Sequence, residues 1–418
     1  MKVYKFGGAS VKDGSGIRNL SEIVSEVTDN LVIVVSAFGK TTNALEGVLK
    51  AWIGKDATYM TLLNNIQNTH QSVIDELFTD RNDISDTIDN SFSRLKEYLS
   101  AVKSGNYDFE YDQVVSFGEL WSTIIVAGYL KSIIPETRWI DIRENLLTDD
   151  RFRDANILWS ESRNRMQKVF DFTAKRIYVT QGFIGGTVSG QTTTLGREGS
   201  DYTAAIIANI LDAESVVVWK DVPGILNADP KWLPDAKRLD EISYKEAVEM
   251  TFSGAKVIHP KTIKPLHNKN IPMHVRSFVR PGDAGTIIKA DAALREVMPV
   301  FIRKEDQILL SILPKDFSFV MGDNLGRIFH TFMVHGIKVN LVEASAVSID
   351  VCLDDERTKV DALISDLKSD FSVVYNEKVE MLSVRHYTQE ALDRITRGRD
   401  ILLEQRTRST VRYVVRQE

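Results

Sequence analysis

The sequence has little of what disulfide-held, membrane-spanning or nucleic-acid-binding proteins are built from. It holds a single cysteine, Cys352, in 418 residues. No disulfide can therefore form within the chain, and no thiolate metal cluster can assemble. Cys352 lies in an apolar, strand-like run and reads as a small core residue. The seven histidines show no metal-ligand spacing, so no protein-held metal is expected. No apolar run reaches the roughly 18 residues of a membrane span. Lys5 and Gly7 interrupt any apolar core at the start, so no signal peptide is expected and the protein is read as cytoplasmic. A basic excess is also missing. The net charge of −6 argues against a nucleic-acid partner, though not against a local basic pocket. Charged residues at 26% and hydrophobic residues at 43% describe an ordinary soluble chain, long enough for two or three domains.

What is present starts with the run Thr194-Leu195-Gly196-Arg197-Glu198-Gly199-Ser200-Asp201-Tyr202-Thr203-Ala204-Ala205. It reads as a glycine-punctuated polar loop turning directly into a helix. Gly196 and Gly199 let the backbone approach a ligand. Ser200 and Asp201 stand at the helix start, where free N–H groups carry partial positive charge. Arg197 adds a planar fork for carboxylate or phosphate. This loop is suited to holding a small anion.

Strand-like runs alternate with helical stretches over the first two-thirds of the chain. Strands are expected at Val3–Phe6, Leu31–Ser36, Arg138–Ile142, Arg176–Gln181, Val216–Lys220 and Met273–Ser277, and helices at Ser200–Leu211 and Tyr244–Met250. Such alternation predicts an α/β fold, a three-layer αβα sandwich around a mostly parallel sheet. The continuous apolar run Leu31–Val35 predicts burial on both sheet faces. Residues 56–105 are polar and helical, an expected insertion. The segment Arg280-Pro281-Gly282-Asp283-Ala284-Gly285 marks a boundary near 285. From 299 to 418 the pattern becomes small βαββαβ units. The second, about 379–418 together with 299–314, is expected to be incomplete or interleaved with the first.

Five further motifs join the first, the last of them Gly254–Pro260. The other four are Lys5-Phe6-Gly7-Gly8-Ala9-Ser10; Val34-Val35-Ser36-Ala37-Phe38-Gly39-Lys40-Thr41-Thr42-Asn43; Ser116-Phe117-Gly118-Glu119; and Trp219-Lys220-Asp221-Val222-Pro223-Gly224, continuing through Leu226 to Pro230. With Gly254-Ala255-Lys256-Val257-Ile258-His259-Pro260 they run in order over about residues 1–290. In this set the chain resembles the aspartate kinases of the amino-acid kinase family. The C-terminal units resemble ACT domains, ferredoxin-like α+β regulatory modules that close such chains.

The resemblance implies transfer of the ATP γ-phosphoryl group to the aspartate side-chain carboxylate, with Mg2+ arriving on ATP. An aspartate carboxylate, with a reference pKa near 3.9, is already ionised at neutral pH, so no general base is required. The enzyme must hold two anions together and stabilise the transferring charge. The resemblance implies Lys5, Gly8, Asp201 and Lys220 as the catalytic set. It implies Ser36, Thr42, Glu119, Arg197 and Ser200 for aspartate. Lys5, Gly7, Gly8, Lys220, Asp221, Leu226, Lys231 and Lys256 would hold ATP. Asp221 is expected to position the two lysines or the magnesium ion.

Other readings stay open residue by residue. Lys5 reads also as a surface lysine beside a glycine-rich strand exit. Thr42 reads also as a plain helix N-cap, and Glu119, in its apolar setting, as half of an internal salt bridge. Lys220 reads also as a surface strand end. His259 is expected to be a structural hydrogen-bonder. The motifs depart from the family pattern in Ala9 for threonine, Glu198 for glycine, Lys220 for threonine and Lys231 for arginine, which keeps the charge but loses bidentate geometry. Glu198 is expected to constrain its loop and compete for Arg197.

In the tail, Met321, Asn324, Leu325, Val339, Asn340 and Ser345 fall at positions implied to be regulatory. Lysine-inhibited relatives carry aspartate where this chain has Asn340 and glutamate where it has Ala346. The loss of both acids implies weak, altered or absent lysine binding. Pairing of such modules implies a homodimer or larger homo-oligomer. At this length a monofunctional kinase is expected. A sibling amino-acid kinase and a catalytically weak amino-acid sensor remain the alternatives.

Overall fold

Every residue of the strand Leu31–Val35 is buried, because the strand lies in the middle of a sheet covered on both faces. The sheet has eight strands, in the order Thr137–Ile140, Ile177–Gln181, Leu31–Val35, Lys2–Phe6, Ser215–Lys220, Met273–Ser277, Thr286–Lys289, Glu241–Ser243. All neighbours are parallel except Met273–Ser277 with Thr286–Lys289. The computed structural model describes all residues except 81, 102, 256–257, 293–297, 317 and 417–418. These fall into two units. The first comprises Met1–Ile225, Arg238–Val248 and Ile258–Ala293, and the second Leu226–Lys237, Glu249–Val257 and Leu294–Glu418.

In the first unit, Tyr4, Phe6, Ile33, Val35, Val179 and Trp219 point to one face of the sheet. They form a core with the helices Gly14–Ser25, Thr41–Ile53 and Phe117–Ile133. The helices Tyr59–Leu77 and Asn82–Ser100 add an outer layer. Phe92 stacks on Trp121 with centroids 3.7 Å apart, and Trp52 Nε1 donates to Leu99 O at 2.7 Å. The helix Gly199–Ile210 packs on the opposite face. The strand expected at Arg138–Ile142 is shorter, Thr137–Ile140. Asp141 ends it by accepting from Arg143 N, which caps a 3-10 turn at Ile142–Glu144. A small sheet of Leu147–Thr148, Ile184–Thr187 and Thr192–Thr194 has no counterpart in the sequence reading.

The second unit carries a six-stranded antiparallel sheet, ordered Val339–Ala344, Ile349–Asp354, Val300–Pro314, Phe371–Arg385, Thr410–Arg416, Ile401–Arg406. Two 15-residue strands, Val300–Pro314 and Phe371–Arg385, run through both halves. The helices Asp323–Val334 and Arg357–Leu367 cover one half through Ile308, Leu310, Ile312 and Val351. The helix Gln389–Thr396 covers Leu382, Val384 and Val411 in the other. Trp232 and Leu233 pack on this second core. Among the described residues no helix is long and apolar enough to cross a membrane.

Candidate active site

Sheet register brings the two lysines together. Lys5 stands opposite Val34 on one side and Val218 on the other. Ser36 and Lys220 lie two positions beyond those partners. Side chains alternate along strands, so Lys5, Ser36 and Lys220 project from one face at the carboxyl ends of adjacent parallel strands. This is the switch point of the sheet, where open α/β folds bind ligands. The helix Gly199–Ile210 opens on that face, its approach permitted by Gly182. A Cβ there would sit 2.4 Å from the Cβ of Ser200.

Asp201, in the first turn of that helix, sits between the lysines. Its Oδ1 is 2.7 Å from Lys5 Nζ and its Oδ2 3.6 Å from Lys220 Nζ. Burial alone would raise the Asp201 carboxyl, but the two ammonium charges outweigh it and hold it below the ordinary carboxylate range. The group that positions both lysines is therefore Asp201. Asp221 is exposed and makes no ion pair among the described residues, which corrects its expected hold on the two lysines. Topology supplies the partner from another element rather than from the sequence neighbour of Lys220.

A cleft of about 680 Å³ opens over this group, lined by Lys5, Gly8, Ser36, Thr42, Glu119, Arg197, Ser200, Asp201 and Lys220. All nine are residues singled out in the sequence. Gly8 closes against the turn after Ser36: Gly39 N donates to Gly8 O at 3.0 Å, and a Cβ on Gly8 would meet Ala37 O at 2.5 Å. Thr42 is not an N-cap. The helix begins at Thr41, its cap is Lys40, and no side chain caps it. Glu119 is 3% exposed. Its Oε1 accepts from Ala37 N at 3.3 Å, and its Oε2 has no hydrogen-bond partner among the described residues. No lysine or arginine pairs with it there, so the internal salt-bridge reading fails. Burial pushes its carboxyl up to about 8.

Arg197 is exposed at the cleft wall. Glu198 does not compete for it. Glu198 adopts the left-handed conformation, φ 54° and ψ 30°, which costs a non-glycine residue roughly 1–2 kcal/mol. Its Oε2 accepts from His259 N at 2.9 Å instead. His259 caps the helix Pro260–His267 by accepting from Lys261 N at 3.2 Å, the structural role expected of it.

Sequence reasoning missed Asp108, Tyr111, Arg153 and Phe183, which also line the cleft beside Thr194 of the anion loop. The Arg153 guanidinium lies over the Tyr111 ring at 4.6 Å and pairs with Asp108 at 3.2 Å. Asp112, fully buried, accepts from Arg153 N at 2.9 Å and from Thr194 N at 2.8 Å. It pins both loops beneath the cleft, and burial raises its carboxyl to about 6. No local spacing announces these contacts, which span 41 and 82 residues of sequence. Gly7 does not line the cleft. Leu226 and Lys231 belong to the second unit, and Lys256 lies outside the described residues.

Residues 1–277 match the model of the amino acid kinase family. Lysine-sensitive aspartokinase 3 of Escherichia coli is 32% identical over 353 residues, which cover 84% of this chain and 78% of the relative. The chain belongs to the aspartokinases of the amino acid kinase family. A bifunctional aspartokinase/homoserine dehydrogenase 2 of Arabidopsis thaliana chloroplasts is 30% identical over 383 residues, and this aspartokinase-family chain spans 42% of that relative's length. The crystal structure of E. coli aspartokinase III in complex with aspartate and ADP, in the R-state, superposes with a TM-score of 0.84 at 28% identity. The match covers 100% of this chain and 96% of that one.

Proposed function

We propose that this chain is an aspartate kinase, moving the ATP γ-phosphoryl group to the β-carboxylate of L-aspartate to give 4-phospho-L-aspartate and ADP. That is the first step toward lysine, threonine and methionine. The observation that carries the reading is the pairing, in one cleft, of a buried carboxylate oxygen lacking a partner with an exposed guanidinium, beside two lysines held on one acid. A free amino acid has an ammonium for Glu119 and an α-carboxylate for Arg197. Ser36, Thr42 and Ser200 complete its pocket, and the backbone at Gly8 faces the phosphate side.

Lys5 and Lys220 neutralise the transferring oxygens, and Asp201 fixes both ammonium groups before substrate arrives. Such preorganisation suits phosphoryl transfer, where positioning and charge stabilisation do the catalysis. Gly7, Asp221, Leu226, Lys231 and Lys256 are assigned to the nucleotide by family position. Magnesium would be held through the phosphates of ATP. The Asp201 carboxylate in the cleft is already committed to Lys5 and Lys220. There the ion would shield phosphate charge.

The tail is proposed to be a pair of interleaved ACT modules with an amino-acid effector, in a homodimeric or larger cytoplasmic enzyme, the kinase domain spanning 1–285. Asn340 is 4% exposed. It accepts from Lys304 Nζ at 2.8 Å and donates to Gln307 at 2.7 Å and Asp354 at 3.0 Å. That commitment supports a weakened lysine response. The test is ADP release with Mg-ATP and L-aspartate beside glutamate and acetylglutamate. Turnover with another acid changes the substrate. Binding without turnover makes the chain a sensor.

A further inference from the structure

Glu198 stands in a conformation that favours glycine, yet it is used. Its carboxylate crosses from the loop Gly196–Gly199 to the backbone N–H of His259 at 2.9 Å. His259 in turn caps the helix Pro260–His267. One hydrogen bond thus fastens the loop that carries Arg197, Gly199 and Ser200, all lining the cleft, to the start of a second helix. The chain re-enters the first unit at Ile258, one residue before His259. Within the loop, Gly199 N donates to Gly196 O at 3.1 Å. Gly196 has φ 77°, and no ion pair holds Arg197 among the described residues.

We infer that Glu198 is a positioning residue of the amino-acid site, setting the Arg197 loop by anchoring it to the segment 258–260. The inference rests on the aspartate kinase reading for its substrate, but not for its geometry. A carboxylate accepting from a backbone N–H is a charge-assisted bond, and binding energy spent on ordering a loop is saved when the loop is already ordered. By linkage, a ligand that orders the loop must also protect the His259 N–H. The effect belongs to substrate affinity, because Glu198 touches no reacting atom.

The test compares wild type with Glu198→Gly and Glu198→Gln in the full chain. Glycine accepts the left-handed conformation without strain, so this variant loses the carboxylate and keeps the backbone. Hydrogen exchange is read in peptides containing the His259 N–H, with and without L-aspartate, and steady-state rates are measured alongside. Glu198→Gly is expected to exchange there at least tenfold faster. Its KM for aspartate should rise several-fold, with a smaller change in kcat. Glu198→Gln, which keeps an acceptor oxygen at the same reach, should recover most of both. Unchanged exchange and unchanged KM in Glu198→Gly would overturn the inference. If wild type turned over no aspartate at all, the aspartate kinase reading would fall, while the exchange contrast would still decide the role of Glu198.

Discussion

Lys5 and Asp201 form a buried ion pair, Nζ to Oδ1 at 2.7 Å, and the second oxygen of the same carboxylate faces Lys220. Removing one partner of such a group leaves buried charge uncompensated, at a cost of about 3–5 kcal/mol. Asp201→Asn should lower stability by that order and cut kcat by at least a hundredfold. Denaturant unfolding and steady-state turnover check both. The pH dependence follows from sign. The Asp201 carboxyl is held low in the folded state, so its contribution is fully present above the unfolded value near 4 and is lost as pH falls below it.

Glu119 behaves in the opposite sense. Its folded-state carboxyl is pushed up to about 8 by burial, against about 4.3 unfolded. Between those values the folded, ligand-free protein keeps a proton that the unfolded chain gives up, so stability falls as pH rises. Glu119→Gln should flatten that slope and be more stable than wild type near pH 8, while losing aspartate turnover. An ammonium bound beside Glu119 favours the ionised form, so aspartate binding near pH 7 should release a proton. Calorimetry in buffers of different ionisation enthalpy measures it; no buffer dependence would contradict this setting of Glu119.

Arg197 is the one guanidinium proposed to fork onto the α-carboxylate. A hydrogen bond to a charged group contributes about 1.5–3 kcal/mol, which is about tenfold to a hundredfold in an equilibrium constant. Arg197→Ala should raise KM for aspartate by that factor with little change in fold. Arg197→Lys should recover only part of it, since an ammonium cannot make the paired contact. Equal KM values for all three proteins would remove Arg197 from the substrate site.

Lysine should bind weakly or not at all. Asn340 carries no charge, its polar atoms are engaged with Lys304, Gln307 and Asp354, and Ala346 offers no acid. Direct titration with lysine reads this; sub-millimolar binding would contradict it.

The central strands were legible because burial on both faces leaves an unbroken apolar run, as in Leu31–Val35 and Val216–Trp219. The anion loop was legible because glycines, arginine and a helix start fall within one short stretch. Val300–Pro314 does not read as one continuous strand in the sequence. A bulge near Asp306, with φ 51°, and the charged run Arg303–Asp306 break the alternation that marks a strand. The small sheet containing Thr192–Thr194 has too few apolar side chains to register. Asp112, Arg153 and Thr194 meet only through the fold, so no local spacing announces them. Asp221 was expected to position the lysines or the magnesium ion, and it adjoins Lys220 in sequence. The register of parallel strands, which sequence adjacency does not encode, decides otherwise.

The most direct test of the proposed activity is hydroxylamine trapping of the acyl phosphate formed from L-aspartate and Mg-ATP, with Lys5→Ala run beside wild type. Aspartate-dependent hydroxamate from wild type, and none from a folded Lys5→Ala variant, is the expected result. No hydroxamate from folded wild-type protein, or equal yields from both, would contradict phosphoryl transfer to aspartate at this cleft.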